Sequence, residues 1–279
     1  MNISEIFGFG VDDHSEVAWT SRDERACPFR SGPCTKSSKT DPIGICSVSD
    51  GREAASLCPV RFLEDGHIFR DAARIAFGPS SSFAVFPEIR ILQLPNPKKA
   101  GSFKKIGKVD FVLGKIVGAD VADFCAVEVQ AAYFSGKETR SLLNYYLKNR
   151  SFGSLDTFRR PDFRSSAQKR LIPQLQLKVP VFRRWGKKFF VVVDKQFFVS
   201  LPEFRTTSAA NSEVTWLVYP LSLAEKSYRM NAVEAVFTEW EDVQASLREG
   251  RAPDPHEIIS ELQLKFAPKG KIKAKVFDC

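Results

Sequence analysis

Two acidic side chains stand inside short apolar runs, Asp110 in Lys-Val-Asp-Phe-Val-Leu and Glu128 in Ala-Val-Glu-Val-Gln. The runs 109–112 and 124–129 are β-branched or aromatic, the pattern of strands. Carboxylates are rarely buried unless they are paired, hydrogen-bonded or bound to a metal, so this placement asks for a partner. The 17 residues between them allow a strand, a turn and a strand. Neighbouring strands lie ~4.8 Å apart, so the two side chains can meet one divalent ion if they face the same way. Strand side chains alternate, and Gln130 therefore shares the face of Glu128. Glu88, in Phe-Pro-Glu-Ile-Arg, could add a further acidic group from the preceding strand. The plain alternative is that Asp110 and Glu128 pair with nearby lysines at a strand end.

A second set of reactive side chains lies near the N-terminus. Cys27, Cys34, Cys46 and Cys58 are separated by six, eleven and eleven residues, in a segment poor in long periodic patterns. Four thiolates suit tetrahedral zinc or iron, and ligation would supply folding energy to a segment expected to be mostly loops. Free buried thiols are the alternative. Cys125 falls in an apolar strand and reads as a core residue.

The elements that must position these groups are legible in outline. Residues 67–77 carry apolar side chains at helical spacing, and Gly78-Pro79 ends that helix. Residues 82–94 read as a strand broken at Pro87. Residues 137–148 read as a helix with Leu142, Leu143, Tyr145 and Tyr146 inward, and 168–178 as a second helix kinked at Pro173. The runs 189–194 and 214–219 are continuously apolar, as for strands covered on both faces. Residues 232–238 alternate like a half-buried strand, 240–248 read as a helix ended by Gly250, and 258–266 as a last short helix. Alternating strands and helices predict an α/β or α+β fold around a mixed central sheet.

No window is apolar enough to span a membrane, and the N-terminus lacks a signal-peptide pattern, so a cytoplasmic protein is expected. The net charge is +8. Its excess is concentrated in residues 137–188, with fourteen Lys or Arg against three acidic residues. A one-sided basic excess is the footprint of a polyanion binder, nucleic acid first among them, or else a solvated basic surface.

Asp followed by Glu-x-Lys on the next strand is the arrangement of the PD-(D/E)xK nucleases; here Gln130 stands where the lysine usually stands. Together with Cys27-Pro-Phe, Cys34-Thr-Lys, Gly44-Ile-Cys46-Ser-Val and Cys58-Pro-Val-Arg61, the chain resembles the NotI-type restriction endonucleases. The helix ending in Ala73-Arg74-Ile75-Ala76-Phe77-Gly78, the pair Lys169-Arg170 with Gln174-Leu175 and Lys178, and the segments 216–219 and 237–250 extend the likeness to residues 15–266.

The resemblance implies a four-cysteine subdomain, 1–65, holding structural iron or zinc, and a nuclease and DNA-binding domain, 66–279. It implies an active site of Asp110, Glu128 and Gln130, with Glu88 a weaker addition, and Mg²⁺ on Asp110 and Glu128. The activity implied is a double-strand cut at a short GC-rich palindrome by a homodimer, leaving 5′-phosphate and 3′-hydroxyl ends. A cognate methyltransferase is expected in the same bacterial or archaeal system. Base contacts are expected among Arg159, Arg160, Arg164, Lys169, Arg170, Arg183 and Arg184, since Arg pairs bidentately with guanine. The competing readings are a non-catalytic metal-dependent DNA-binding protein and an RNA-processing nuclease of the same superfamily.

Overall fold

The computed structural model describes residues 2–30, 32–38, 40–51, 53–99, 101–133, 139–153, 161–248 and 254–266. The chain divides into two units, 1–247 and 248–279. The first unit begins with β1 (Asn2–Ile6), β2 (Phe9–Gly10), α1 (Glu16–Asp23), β3 (Ile45–Ser49) and β4 (Ala54–Ser56). A tight helical segment, Pro59–Gly66, leads into α2 (His67–Phe77), then β5 (Ser82–Pro95), β6 (Phe103–Val117) and β7 (Asp120–Val129). Next come α3 (Thr139–Asn149), α4 (Phe163–Ser166), a wide π turn at Ala167–Leu171, and α5 (Ile172–Arg184). The unit closes with β8 (Phe189–Asp194), α6 (Lys195–Val199), β9 (Val214–Tyr219), β10 (Leu221–Ala224), β11 (Ser227–Met230), β12 (Glu234–Thr238) and α7 (Trp240–Arg248). In the second unit the described residues form α8 (Pro255–Phe266). Among the described residues no helix is long and apolar enough to cross a membrane.

The central sheet is mixed, in the order β12-β9-β8-β7-β6-β5, with β7, β8 and β9 parallel and the outer pairings antiparallel. Every residue of β8 and β9 is buried, as their unbroken apolar runs require. Alternation divides the side chains between two cores. Phe189, Val191, Val193, Trp216 and Val218 pack on the side of α5, while Phe190, Val192, Leu217 and Tyr219 pack on the side of α2. Cys125 lies in the second core, as its apolar strand predicts. Helix α2 matches its expected bounds, with Gly78 at its end in a left-handed conformation (φ 95°) that a side chain would strain.

The N-terminal stretch departs from the expectation of loops. Its strands join β10 and β11 in a second, antiparallel sheet ordered β11-β10-β4-β3-β1-β2. These strands are two to five residues long and rich in Ser and Ala. Partners arriving from residues 221–230 complete the sheet, and no local pattern announces such a pairing. Arg61 ties this sheet together from within. Its fully buried guanidinium meets Glu5 (3.0 Å), Glu64 (2.8 Å) and the Tyr228 carbonyl (2.6 Å). Burial raises the Glu5 carboxyl above its usual range, and the Arg61 cation opposes that rise. Arg61→Met should therefore cost ~3–5 kcal/mol, because Glu5 would be left buried without its cation. Denaturant unfolding checks this; a loss below ~1 kcal/mol would show the network to be dispensable.

Three other elements differ in detail. β5 is not broken at Pro87: as an edge strand it tolerates a residue without an N–H, and pairing with β6 resumes at Ile89 after Glu88 at φ 59°. Tyr145 is exposed, whereas Leu142, Leu143 and Tyr146 of α3 are buried as expected. The helix runs on through the π turn at Ala167–Leu171, and Pro173 follows that turn directly, so the distortion lies just ahead of the proline; α5 carries a further proline, Pro180, in its interior.

Candidate active site

Asp110 and Glu128 lie at the point where β6 and β7 part. The ladder pairs Phe111 with Val127, and extending that register sets Asp110 opposite Glu128. There the carboxylates take over from the backbone. Val129 N–H donates to Asp110 Oδ2 (3.0 Å), and Asp110 N–H donates to Glu128 Oε2 (3.4 Å). Glu128 is only 2 % exposed and Asp110 is half-buried, so the pair opens to solvent on the Asp110 side.

Gln130 is buried just beyond the end of β7. Its backbone N–H donates to Val192 of β8 (2.9 Å), and its side-chain amide donates to the Ala131 carbonyl (2.7 Å). Glu88 is not gathered in: its exposed carboxylate accepts from Lys108 (2.6 Å) at the surface.

The cation missing from β7 comes from a helix instead. Lys178, 4 % exposed on α5, donates to Glu128 Oε1 (2.5 Å) and to Gln174 Oε1 (2.8 Å). The local signal for this was present. Leu175, Lys178, Val179 and Phe182 form the buried stripe of α5, so a lysine stands on the helix's apolar face, where an unpaired charge is costly. Glu128 is pushed up to about 7, first by burial and then by the neighbouring Asp110 charge, with Lys178 pulling the other way. A simple buried ion pair would not need Asp110. The second carboxylate makes the group short of positive charge, which a divalent cation corrects.

The four N-terminal cysteines share one neighbourhood. The bridge between Ala26 and Pro33 closes a small loop in which Cys27 N–H donates to Gly32 O and Cys34 N–H to Arg25 O, each at 2.9 Å. Cys46 lies in β3 and Cys58 just ahead of Pro59, and Cys58 interacts electrostatically with the other three. Backbone N–H groups of Phe29 and Arg30 are directed at Cys27, that of Lys36 at Cys34 and that of Gly8 at Cys46. Burial raises all three of these thiols. The Lys36 ammonium lies among Cys34, Cys46 and Cys58 and donates to Ile45 O (2.6 Å). Among the described residues, no three or more His, Cys, Asp or Glu side chains close on one point as metal ligands.

The basic residues of 137–188 divide. Lys169 and Arg184 are exposed, and exposed Arg170 lies over the Tyr133 ring at 4.0 Å. Arg183 is held by Glu213 (2.6 Å) and Glu241, and Lys187 by Asp123 (2.5 Å). Arg159 and Arg160 lie outside the described residues, as does the Arg164 side chain in α4.

Residues 14–231 match the family described as restriction endonuclease NotI, a span that contains the four cysteines, Asp110, Glu128, Gln130 and Lys178. No curated protein is matched by the chain. The chain belongs to the NotI restriction endonuclease family, and so to the type II enzymes that cut DNA at specific sites.

Proposed function

We propose that this protein makes Mg²⁺-dependent double-strand cuts at a short palindrome, GC-rich as the resemblance implies, through Asp110, Glu128, Gln130 and Lys178 on a PD-(D/E)xK core. The observation that carries the reading is the meeting of two carboxylates at the parting of β6 and β7 with a buried lysine on one of them. Mg²⁺ fits such a donor set, because it binds through one or two carboxylates and keeps waters in its remaining positions. When bound it polarises the scissile phosphate and lowers the pKa of the attacking water.

The protein's own groups do the rest. Asp110 and Glu128 would hold the ion through their carboxylate oxygens, where their two charges repel each other without it. Lys178 has three N–H donors, two of them engaged by Glu128 and Gln174. The third would serve a phosphate oxygen as charge develops there. Gln130 carries no charge and serves by hydrogen bonding, orienting water or phosphate. In-line attack expels the 3′-oxygen, leaving 5′-phosphate and 3′-hydroxyl ends. One chain supplies one such site, and a symmetric cut of both strands needs two, as a dimer on a palindrome provides. Incubating the protein with plasmid DNA and Mg²⁺ should give discrete fragments; no cleavage, or cleavage of RNA alone, would favour the competing readings.

Cys27, Cys34, Cys46 and Cys58 are proposed to hold one structural iron or zinc. The donor chemistry fits, four thiols with N–H groups directed at three of the sulfurs, although these side chains do not themselves close on a point. Four thiolates leave no open position, so the role is structural. Native protein should contain about one iron or zinc per chain by elemental analysis. Cys46→Ser should lower soluble yield more than it lowers the activity of what folds. Metal-free native protein of full activity would remove the assignment.

A further inference from the structure

β5 and β6 leave the central sheet together. β7 pairs with β6 only from Phe111 onward, whereas β5 accompanies β6 to the pair Pro95 and Phe103. Residues 89–95 and 103–109 therefore form a two-stranded ribbon, closed by a turn in which Asn96 N–H donates to Ser102 O (2.9 Å). Most of its side chains are exposed, Leu94 and Phe103 at the tip included. At its root Val109 is buried and Ile91 packs against the core that α5 covers, but the outer part has no such support. An isolated pair of strands is marginal in water, so the bare tip is placed for contact with something else.

Its charge says what. Residues 89–108 contain six Lys or Arg and no Asp or Glu. Lys108 is held by Glu88 at the root, while Lys98, Lys99, Lys104 and Lys105 make no ion pair among the described residues. Several basic residues of 137–188 are held by acidic partners instead, Lys178, Arg183 and Lys187 among them.

We propose that this ribbon enters the major groove of the DNA next to the cut, with Arg90, Lys104, Lys105 and the tip lysines on phosphates and guanine edges. The dimensions agree. Six residues of strand extend ~20 Å, and a major groove ~12 Å wide admits a two-stranded ribbon. Its root adjoins Asp110, so a ribbon in the groove brings the backbone of the same duplex to the carboxylates. The placement beside the cut rests on the reading of Asp110 and Glu128 as the active site.

The test is equilibrium binding of the full-length protein to a duplex containing its cut site, with Ca²⁺ in place of Mg²⁺ and salt varied. Lys104→Gln with Lys105→Gln should weaken binding ~10-fold and flatten the log–log salt dependence by about two units, one for each phosphate left unneutralised. The double Glu variant should lose more, and Arg205→Glu, an exposed reversal elsewhere, much less. Wild-type affinity and salt slope in both ribbon variants would overturn the proposal. So would a loss of affinity accompanied by a halved molecular mass in sedimentation, which would make the ribbon a dimer interface. The two readings separate cleanly. Unhindered cutting by Asp110→Ala would remove the active site and leave the groove contact standing, whereas unchanged binding by the ribbon variants would do the reverse.

Discussion

Asp110→Ala should lower the rate of DNA cleavage by ~10³-fold or more, because the loss falls on metal-assisted stabilisation worth several kcal/mol. Glu128→Ala should do the same. Binding of the duplex in Ca²⁺ should persist in both and could tighten, since each change removes a negative charge facing phosphate. Asp110 is the cleaner of the two. It is half-buried, and its removal leaves Val129 N–H without an acceptor, a cost of ~1 kcal/mol. Removing Glu128 also strands Lys178 in the core. Single-turnover cleavage rates under saturating enzyme separate chemistry from binding; wild-type rates in either variant would end the assignment.

Lys178→Met should lower cleavage by ~10²–10³-fold, the range for loss of a preorganised donor at developing charge. Its effect on stability should be smaller than the usual cost of breaking a buried pair. Glu128 already stands near 7, through burial and Asp110, and loss of the lysine raises it further. At neutral pH it can therefore take up a proton rather than remain a bare buried charge. A lysine that served only the fold would give the opposite result, a large loss of stability with chemistry intact in whatever folds. Cleavage rate and denaturant midpoint, measured on the same preparation, decide between the two.

Lys178 also shows where sequence reading stopped. The strands around Asp110 and Glu128 were legible because runs of β-branched and aromatic residues are a local signal, although β6 extends from Phe103 to Val117, well beyond the run 109–112 that marked it. Helix α2 and strands β8 and β9 were legible for the same reason, each with its bounds marked by apolar spacing. The Glu128–Lys178 contact spans 50 residues and depends on the phase that the π turn at Ala167–Leu171 gives to α5. The apolar neighbours Leu175, Val179 and Phe182 showed that Lys178 faces inward, but not what it meets. The N-terminal sheet was illegible because β4 finds its partner at Leu221, far along the chain. Net charge counted basic residues without their partners, which drew attention to 137–188 and away from the ribbon of β5 and β6.

Asp110 and Glu128, with Lys178 on Glu128, are proposed as the site at which DNA is cut. The decisive measurement is digestion of a DNA of known sequence with purified wild type and Asp110→Ala in Mg²⁺, with fragment ends read. Wild-type fragments should share one palindromic sequence at their ends, with 5′-phosphates and 3′-hydroxyls, and the variant should leave the substrate intact. The same fragments from Asp110→Ala at the wild-type rate would contradict the assignment.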